Sequence, residues 1–231
     1  MAKRTLVCAK LSLGIILLIL PAAMLSGGIR NVQAYEALNR LQLQKTEQER
    51  IIPLIEQAEE QELPTDYLIL RIQEGVAKKI PLQKIEAALQ QDMAVLESAR
   101  TLVYTALGPV RGEGFLKDTA HWNRIATLIK EGIGQQHMLE LLQLADGSYD
   151  QLRHAGGLLL ALHQWEIDDR TSMHIIKSLT QSEISSDEYR NVITLFQEAL
   201  SRHIPVSEMA ERIIRFAAES HSFAQLQRLT R

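Results

Sequence analysis

The sequence predicts an all-α protein built from short antiparallel helices. Leu, Ile, Ala, Gln and Glu dominate the 231 residues, and aromatic residues make up only 5% of them. This composition favours helices over strands. Apolar residues recur at helical spacing, as at Leu68, Ile72 and Val76, and the sequence shows no convincing strand-like alternation. Prolines, glycines and small polar residues interrupt the helical period at short intervals, which predicts many helix ends.

The chain begins with a segment typical of exported proteins. Lys3 and Arg4 precede the apolar run Leu11–Leu25, which Pro21 interrupts. The run is shorter than the roughly 20 residues that a stable transmembrane helix needs. Basic residues at the N-terminus favour export of the part that follows.

Residues 1–34 are therefore predicted to be a signal peptide. Val32 and Ala34 supply small residues at positions −3 and −1 of a cleavage site before Tyr35. The alternative is that 1–34 stays as an uncleaved N-terminal anchor. The mature protein is then expected either free in the periplasm or outside the cell, or anchored to the inner membrane and facing outward.

The single cysteine excludes several kinds of site. Cys8 precedes the apolar run, so it cannot be the lipid-modified cysteine of a lipoprotein. Cleavage before Tyr35 would leave a mature chain without cysteine. Disulfide scaffolds, thiolate metal sites and cysteine nucleophiles are thereby excluded from the mature protein.

The charge of the mature chain argues against nucleic acid. Removing 1–34, with four basic and no acidic residues, leaves 21 basic against 28 acidic residues, a net charge of −7. Nucleic-acid binding depends on Lys and Arg that displace counterions. Anionic lipid is disfavoured for the same reason, so membrane contact is expected only through Leu11–Leu25 if that run is uncleaved.

The body divides into a helical region at 35–105, a Gly/Pro linker or loop at 106–119, and a second helical region at 120–231. Pro53 is expected in the first turn of a new helix, after a break near Arg50. Helices are predicted over 35–62, 65–78, 82–103, 121–131, 136–145, 149–164, 170–181, 186–202 and 206–218, with a short one at the end.

A joint between helices recurs along the chain. An aliphatic residue precedes Pro, Asp or Ser, and a new helix follows. The aliphatic residue is expected to pack onto the next helix, and the residue after it to cap that helix. Ser185 and Glu188 have the spacing of a capping box. The five joints are Glu62-Leu63-Pro64, Lys79-Ile80-Pro81, Glu166-Ile167-Asp168, Glu183-Ile184-Ser185 and His203-Ile204-Pro205.

Two of these joints lie in similar segments. Residues 72–81 read IQEGVAKKIP and residues 196–205 read FQEALSRHIP, and Lys130-Glu131-Gly132-Ile133 resembles a third, degenerate copy. These likenesses fit an α-helical repeat array with a superhelical binding surface. They fit equally a plain helical bundle whose hairpins share capping chemistry. The units lack the signature residues of tetratricopeptide and ankyrin repeats.

Five residues are candidates for contact with a partner. Glu74 recurs as Glu131 and Glu198 in these segments, which suggests a shared binding role. The alternative is surface ion pairing, of Glu74 with Lys78 and of Glu198 with Arg202, four positions later. Trp122 and Trp165 are the largest apolar side chains. Each is expected to be a core residue, or a contact residue if it lies exposed in a groove.

No catalytic, cofactor or metal site is predicted. The seven histidines form no HExxH motif, and the carboxylate clusters suit solvated helix faces and helix N-termini. The favoured hypothesis is an exported, non-catalytic protein of the cell envelope that binds a protein or peptide. A membrane-tethered assembly factor and an enzyme with an unrecognised site are the alternatives.

Overall fold

The residues described by the computed structural model, which are 36, 43–217 and 219–230, form α-helices and no strands. The all-α prediction is confirmed. Within these ranges the chain forms eleven α-helices, with a single 3-10 turn at Ser186–Glu188 before α9. They are α1 (Lys45–Glu60), α2 (Thr65–Ala77), α3 (Leu82–Leu107), α4 (Pro109–Phe115), α5 (Thr119–Lys130), α6 (Gln135–Ala145), α7 (Tyr149–Gln164), α8 (Asp169–Thr180), α9 (Tyr189–Ser201), α10 (Val206–Ala217) and α11 (Phe223–Thr230).

The predicted signal segment, 1–34, and the cleavage site before Tyr35 lie outside the described residues. Among the helices in the described ranges, none has both the length and the apolar character to span a membrane.

The helices pack in two layers. One layer runs α1, α3, α6, α8 and α10, with each helix against the next, and the other runs α2, α5, α7 and α9. Helix α4 packs on α3, and α11 packs on α10. Successive helices of the chain therefore alternate between layers, which is the packing expected of stacked helical hairpins. The internal repeat itself stays a prediction.

The long helix α3 joins the two predicted helical regions. It contacts α1 and α2 on one side and α5 and α6 on the other. Buried apolar residues from Ile51 to Leu226 form one continuous cluster. The regions 35–105 and 120–231 therefore share a core.

Most joints close the preceding helix rather than open the next one. The backbone N–H of Leu63, Ile80, Ile133, Ile167 and Ile204 donates to the carbonyl five residues earlier, at 2.8–3.2 Å. This bond defines the Schellman closure of a helix C-terminus. The residue before each aliphatic residue has a positive φ, between 54° and 60° for Glu62, Lys79, Glu166 and His203 and 89° for Gly132. Only the joint at Ile184 differs, because its N–H bonds the Ser182 hydroxyl instead.

The predicted capping box at Ser185 and Glu188 is wrong. The Ser185 side chain makes no capping bond to the backbone, and the segment forms a 3-10 turn closed by the Glu188 N–H on the Ser185 carbonyl. The Ser185 side chain instead bonds to Asp187, which lowers the pKa of that carboxyl group. Bonding of a serine hydroxyl to a nearby carboxylate is a local alternative to capping a helix.

The expected break before Pro53 is also wrong. Helix α1 runs from Lys45 to Glu60 with Pro53 in its interior. Proline removes one backbone donor there, but Ile51 and Ile55 on either side are 0% and 2% exposed. Tertiary burial of this helix face outweighs the local preference of proline.

The segment 106–119 is not a loop or linker. Helix α3 continues to Leu107, and α4 occupies Pro109–Phe115 with proline at its first turn. The two helices meet closely, because a Cβ added to Gly112 would lie 2.6 Å from the Tyr104 ring. Glycine serves close packing here rather than flexibility.

Candidate functional site

A cleft between α2 and α3 is the candidate site. Its volume is about 140 Å³. Aliphatic side chains form its floor, and charged side chains of both helices form its rim. The lining residues are Arg71, Glu74, Gly75, Lys78, Ile80, Lys84, Ile85, Ala88 and Leu89.

Ile80 distinguishes this cleft from the other joints. At the same position of the closure, Leu63, Ile133 and Ile167 are 4–8% exposed, whereas Ile80 is 38% exposed. The backbone bond that closes the helix is the same in each case. Neighbouring helices cover these three aliphatic residues, and Ile204, the fourth with this closure, is half-buried against the core. At Ile80 this cover is missing within the described structure.

The rim of the cleft carries more positive than negative charge. Glu74 accepts hydrogen bonds from Arg71 at 2.7 Å and from Lys78 at 2.5 Å. The bond and charge of Lys78, aided by the charge of Arg71, lower the pKa of the Glu74 carboxyl group, so Glu74 is ionised at neutral pH. Lys79 and Lys84 are exposed, and neither has an ion-pair partner among the residues that the structure describes.

A buried carboxylate lies beside the cleft. The Asp92 side chain on α3 is 4% exposed, and its oxygens contact Arg71 Nε at 3.1 Å and Lys130 Nζ at 2.5 Å. Partial burial lowers the pKa of Arg71, but the hydrogen bond and charge of Asp92 outweigh this and raise it. A carboxylate so deeply buried is stable only when it is paired in this way.

Lys130 completes this charged network from the end of α5. Its ammonium group donates to the Tyr67 hydroxyl at 2.7 Å as well as contacting Asp92. Burial lowers the pKa of Lys130, and the bonds to Asp92 and Tyr67 reverse this shift and raise it. Asp92 thus ties α2, α3 and α5 together and fixes Arg71 at the cleft.

The depth of the cleft depends on Gly75. A Cβ at this position would lie 2.9 Å from the Ile85 side chain. Helices α2 and α3 therefore approach closely at the base of the cleft, where only glycine leaves room for Ile85.

A second, larger depression of about 280 Å³ continues from the first. It shares Ile80 and Ile85 with the cleft and adds Leu43, Lys79 and Leu82. The apolar surface therefore continues past the joint toward the start of α1, with Lys79 at its edge.

The three glutamates proposed as equivalent lie at different places. Glu74 stands five residues before the positive-φ residue Lys79, and Glu198 stands five before His203. Glu131, however, is the C-cap of α5, directly before Gly132. The match of Glu131 to the other two is therefore wrong in register. Glu198 is half-buried in α9, and only Glu74 lines the α2–α3 cleft.

The two tryptophans pack inside the protein to different degrees. Trp122 is 5% exposed, and its indole N–H donates to the Leu116 carbonyl at 2.7 Å, so it offers little surface to a partner. Trp165 is half-buried at the end of α7, with its ring 5.3 Å from that of Phe196.

Two histidines approach one carboxylate at the start of α8. His137 Nδ1 and His163 Nδ1 lie 3.3 and 3.4 Å from the two oxygens of Asp169. Within the described ranges, no group of three or more potential ligands has an arrangement that would hold a metal ion. The pairing joins α6, α7 and α8 at one point.

Asp92, Arg71 and Lys130 were not identified from the sequence. A signal for Asp92 was present, because it falls between Leu89 and Leu96 on the apolar stripe of α3. A carboxylate on a core-facing stripe indicates a buried ion pair. Its partners lie on other helices, so no local pattern identifies them.

The chain was compared with protein-family models, curated proteins and solved structures, and none of them matches it.

Proposed function

We propose that this protein is an exported, non-catalytic binding protein of the cell envelope that holds a protein or peptide segment in the α2–α3 cleft. The observation that supports this proposal is the uncovered Ile80 in a cleft with charged groups on its rim. Buried apolar area is the main source of affinity in protein association, and rim charges give orientation and specificity.

The layered packing supports the same proposal. Stacked hairpins form extended surfaces that bind other chains. The Asp92 network fixes Arg71 from beneath, so the cleft is formed before a ligand arrives. A rigid cleft loses less conformational entropy on binding than a flexible one.

Export is part of the proposal and has its own test. The basic start and the apolar run Leu11–Leu25 support it. Intact-mass measurement of the protein recovered from the producing cells is expected to show a chain that starts at Tyr35. A mass that includes residues 1–34, together with recovery in the membrane fraction, would instead favour the tethered form.

Site-specific photocrosslinking in intact cells tests the binding role. A photoreactive residue at Lys84 on the cleft rim is compared with one at Glu208, the position after the α9–α10 joint that corresponds to Lys84. We expect a discrete crosslinked protein from position 84 that position 208 does not give. Equal crosslinking from both positions, or none from either, would contradict the proposal.

A further inference from the structure

We infer that the α2–α3 cleft takes an acidic polypeptide segment in which an aliphatic side chain is flanked by carboxylates. This inference rests on the proposed binding function and specifies the chemistry of the ligand. Three properties of the cleft carry it: its charge, its floor and its size.

The charge of the cleft is opposite to that of the body. The whole chain has a net charge of −3, and the part after residue 34 has a net charge of −7. Within and beside the cleft, the four cations Arg71, Lys78, Lys79 and Lys84 outnumber two carboxylates. These are Glu74, which is paired with Arg71 and Lys78, and Glu47, which accepts a hydrogen bond from the Gln44 backbone N–H. Positive charge gathered at one place on an acidic protein attracts an acidic partner and repels a basic one.

These four cationic side chains differ in whether they are free to pair with a ligand. Arg71 is held by Asp92 and Glu74, and Lys78 is held by Glu74. Lys79 and Lys84 lie on the two sides of Pro81 and have no ion pair within the described ranges. They are the groups that carboxylates of a ligand would meet, on both sides of the apolar floor.

The floor requires an aliphatic group between those carboxylates. Ile80, Ile85 and Leu89 line the cleft, and the exposed face of Ile80 gains most from being covered.

The size of the cleft limits the ligand. A cavity close to 150 Å³ in volume accommodates one apolar group of about six carbon atoms, whereas typical small-molecule sites measure roughly 300–1,000 Å³. The cleft, of about 140 Å³, therefore suits one side chain of a polypeptide. The rest of the ligand would cross the neighbouring depression at Leu43 and Leu82.

Three labelled peptides of equal length test the inference by fluorescence anisotropy with the full chain. One carries leucine flanked by glutamates, one carries leucine flanked by lysines, and one carries alanine flanked by glutamates. We expect the Glu-flanked leucine peptide to bind about tenfold more tightly than either of the others. Its affinity is also expected to fall as salt is added, because exposed charges are screened.

Variants locate the binding site. Lys79→Glu combined with Lys84→Glu is expected to lower the affinity for the Glu-flanked leucine peptide by at least about tenfold. The matched control is Arg190→Glu combined with Arg202→Glu, which makes the same change in net charge on α9 and its C-terminal cap. The control is expected to retain the affinity within about twofold. Thermal unfolding followed by circular dichroism confirms that each variant is folded.

Several results would overturn the inference. These are equal binding of the Glu-flanked and Lys-flanked leucine peptides, absence of binding by all three, or equal losses in the cleft and control variants. Crosslinking from position 84 to residues of the same chain before Leu43 would show that the chain covers its own cleft, and this too would overturn it. If position 84 captures a partner protein in cells while the peptides show no preference for acidic flanks, the binding function stands and only this ligand chemistry fails.

Discussion

The α2–α3 and α9–α10 joints come from similar segments and have the same backbone closure, yet their surroundings differ. Ile80 and Ile204 each donate a backbone N–H to the carbonyl five residues earlier, at 2.9 Å in both joints. Ile80 is 38% exposed, whereas Ile204 is half-buried and packs against the core. The local sequence therefore determines the turn, and the neighbouring helices determine whether the aliphatic residue remains available for binding.

Charge separates the two joints as well. Lys84 follows Pro81 by three residues and has no ion pair in the described part of the chain. Glu208 follows Pro205 by three residues and accepts a hydrogen bond from Arg212 at 2.6 Å. The first joint thus has an unpaired cation beside an open apolar surface, and the second has a neutralised surface pair.

The largest expected effect comes from the buried charge beneath the first joint. Asp92→Asn leaves Arg71 and Lys130 without their shared carboxylate. We expect this to lower the free energy of unfolding by about 2–3 kcal/mol. Chemical denaturation measures this change. Glu74→Gln, an exposed neighbour that contacts the same Arg71, is the control and is expected to change stability little. Equal losses of stability in both variants would show that the buried Asp92 contributes no more to stability than the exposed Glu74.

Close packing in the first joint gives the next largest effect. Gly75→Ala places a methyl group 2.9 Å from Ile85, so we expect a loss of about 1–3 kcal/mol in the free energy of unfolding. The corresponding Ala199→Gly in α9 introduces no clash and is expected to cost only about 0.5–1 kcal/mol. The same denaturation experiment measures both variants. A smaller loss for Gly75→Ala than for Ala199→Gly would mean that α2 and α3 are not in close contact.

Alkaline pH is expected to weaken the network around Lys130. The pKa of Lys130 is raised above its ordinary value of 10.5 in the folded protein. Its stabilising contribution is therefore fully present below about 10.5, and it is lost as the pH rises through the higher folded pKa. Lys130→Met is expected to cost about 1–2 kcal/mol at neutral pH. The difference from the unaltered protein should shrink above pH 10.5, as urea denaturation across this range would measure. A difference that stays constant would contradict the pairing with Asp92.

The smallest expected effect concerns the positive-φ residues. Lys79 has φ of 54° and His203 has φ of 60°, a conformation that strains a residue with a side chain. Lys79→Gly and His203→Gly are each expected to raise the free energy of unfolding by about 0.5 kcal/mol. The stabilisation from relieved backbone strain should exceed the destabilisation caused by the greater conformational entropy of the unfolded chain. Calorimetry compares the two. Because both joints share one backbone geometry, unequal gains would indicate that the closures differ.

The sequence predicts the joints well because their chemistry is local. The helix predicted at 149–164 has these bounds in the structure, and the other predicted helices from 65 onward differ by a few residues at their ends. Leu63, Ile80, Ile167 and Ile204 were identified as joint residues, although they close the preceding helix and were expected to open the next. A closure within six residues leaves a pattern that a single sequence reveals.

The candidate site was harder to predict, because its parts meet through space. Arg71 and Asp92 belong to different helices, and Lys130 reaches them from a third. The exposure of Ile80 depends on which helices flank α2 and α3, so the sequence of the joint alone does not reveal it. Glu74 was identified because it recurs beside a joint, and its predicted ion pair with the residue four positions later is the contact with Lys78. The contact with Arg71, three positions earlier, was not predicted.

The most direct test compares Ile80→Ser with Ile204→Ser for binding of the Glu-flanked leucine peptide, measured by anisotropy on variants shown to be folded. If the peptide binds at Ile80, Ile80→Ser should lower the affinity for the peptide by about tenfold, while Ile204→Ser should leave this affinity unchanged. Equal affinities for the two variants, or a loss confined to Ile204→Ser, would contradict the placement of the binding site between α2 and α3.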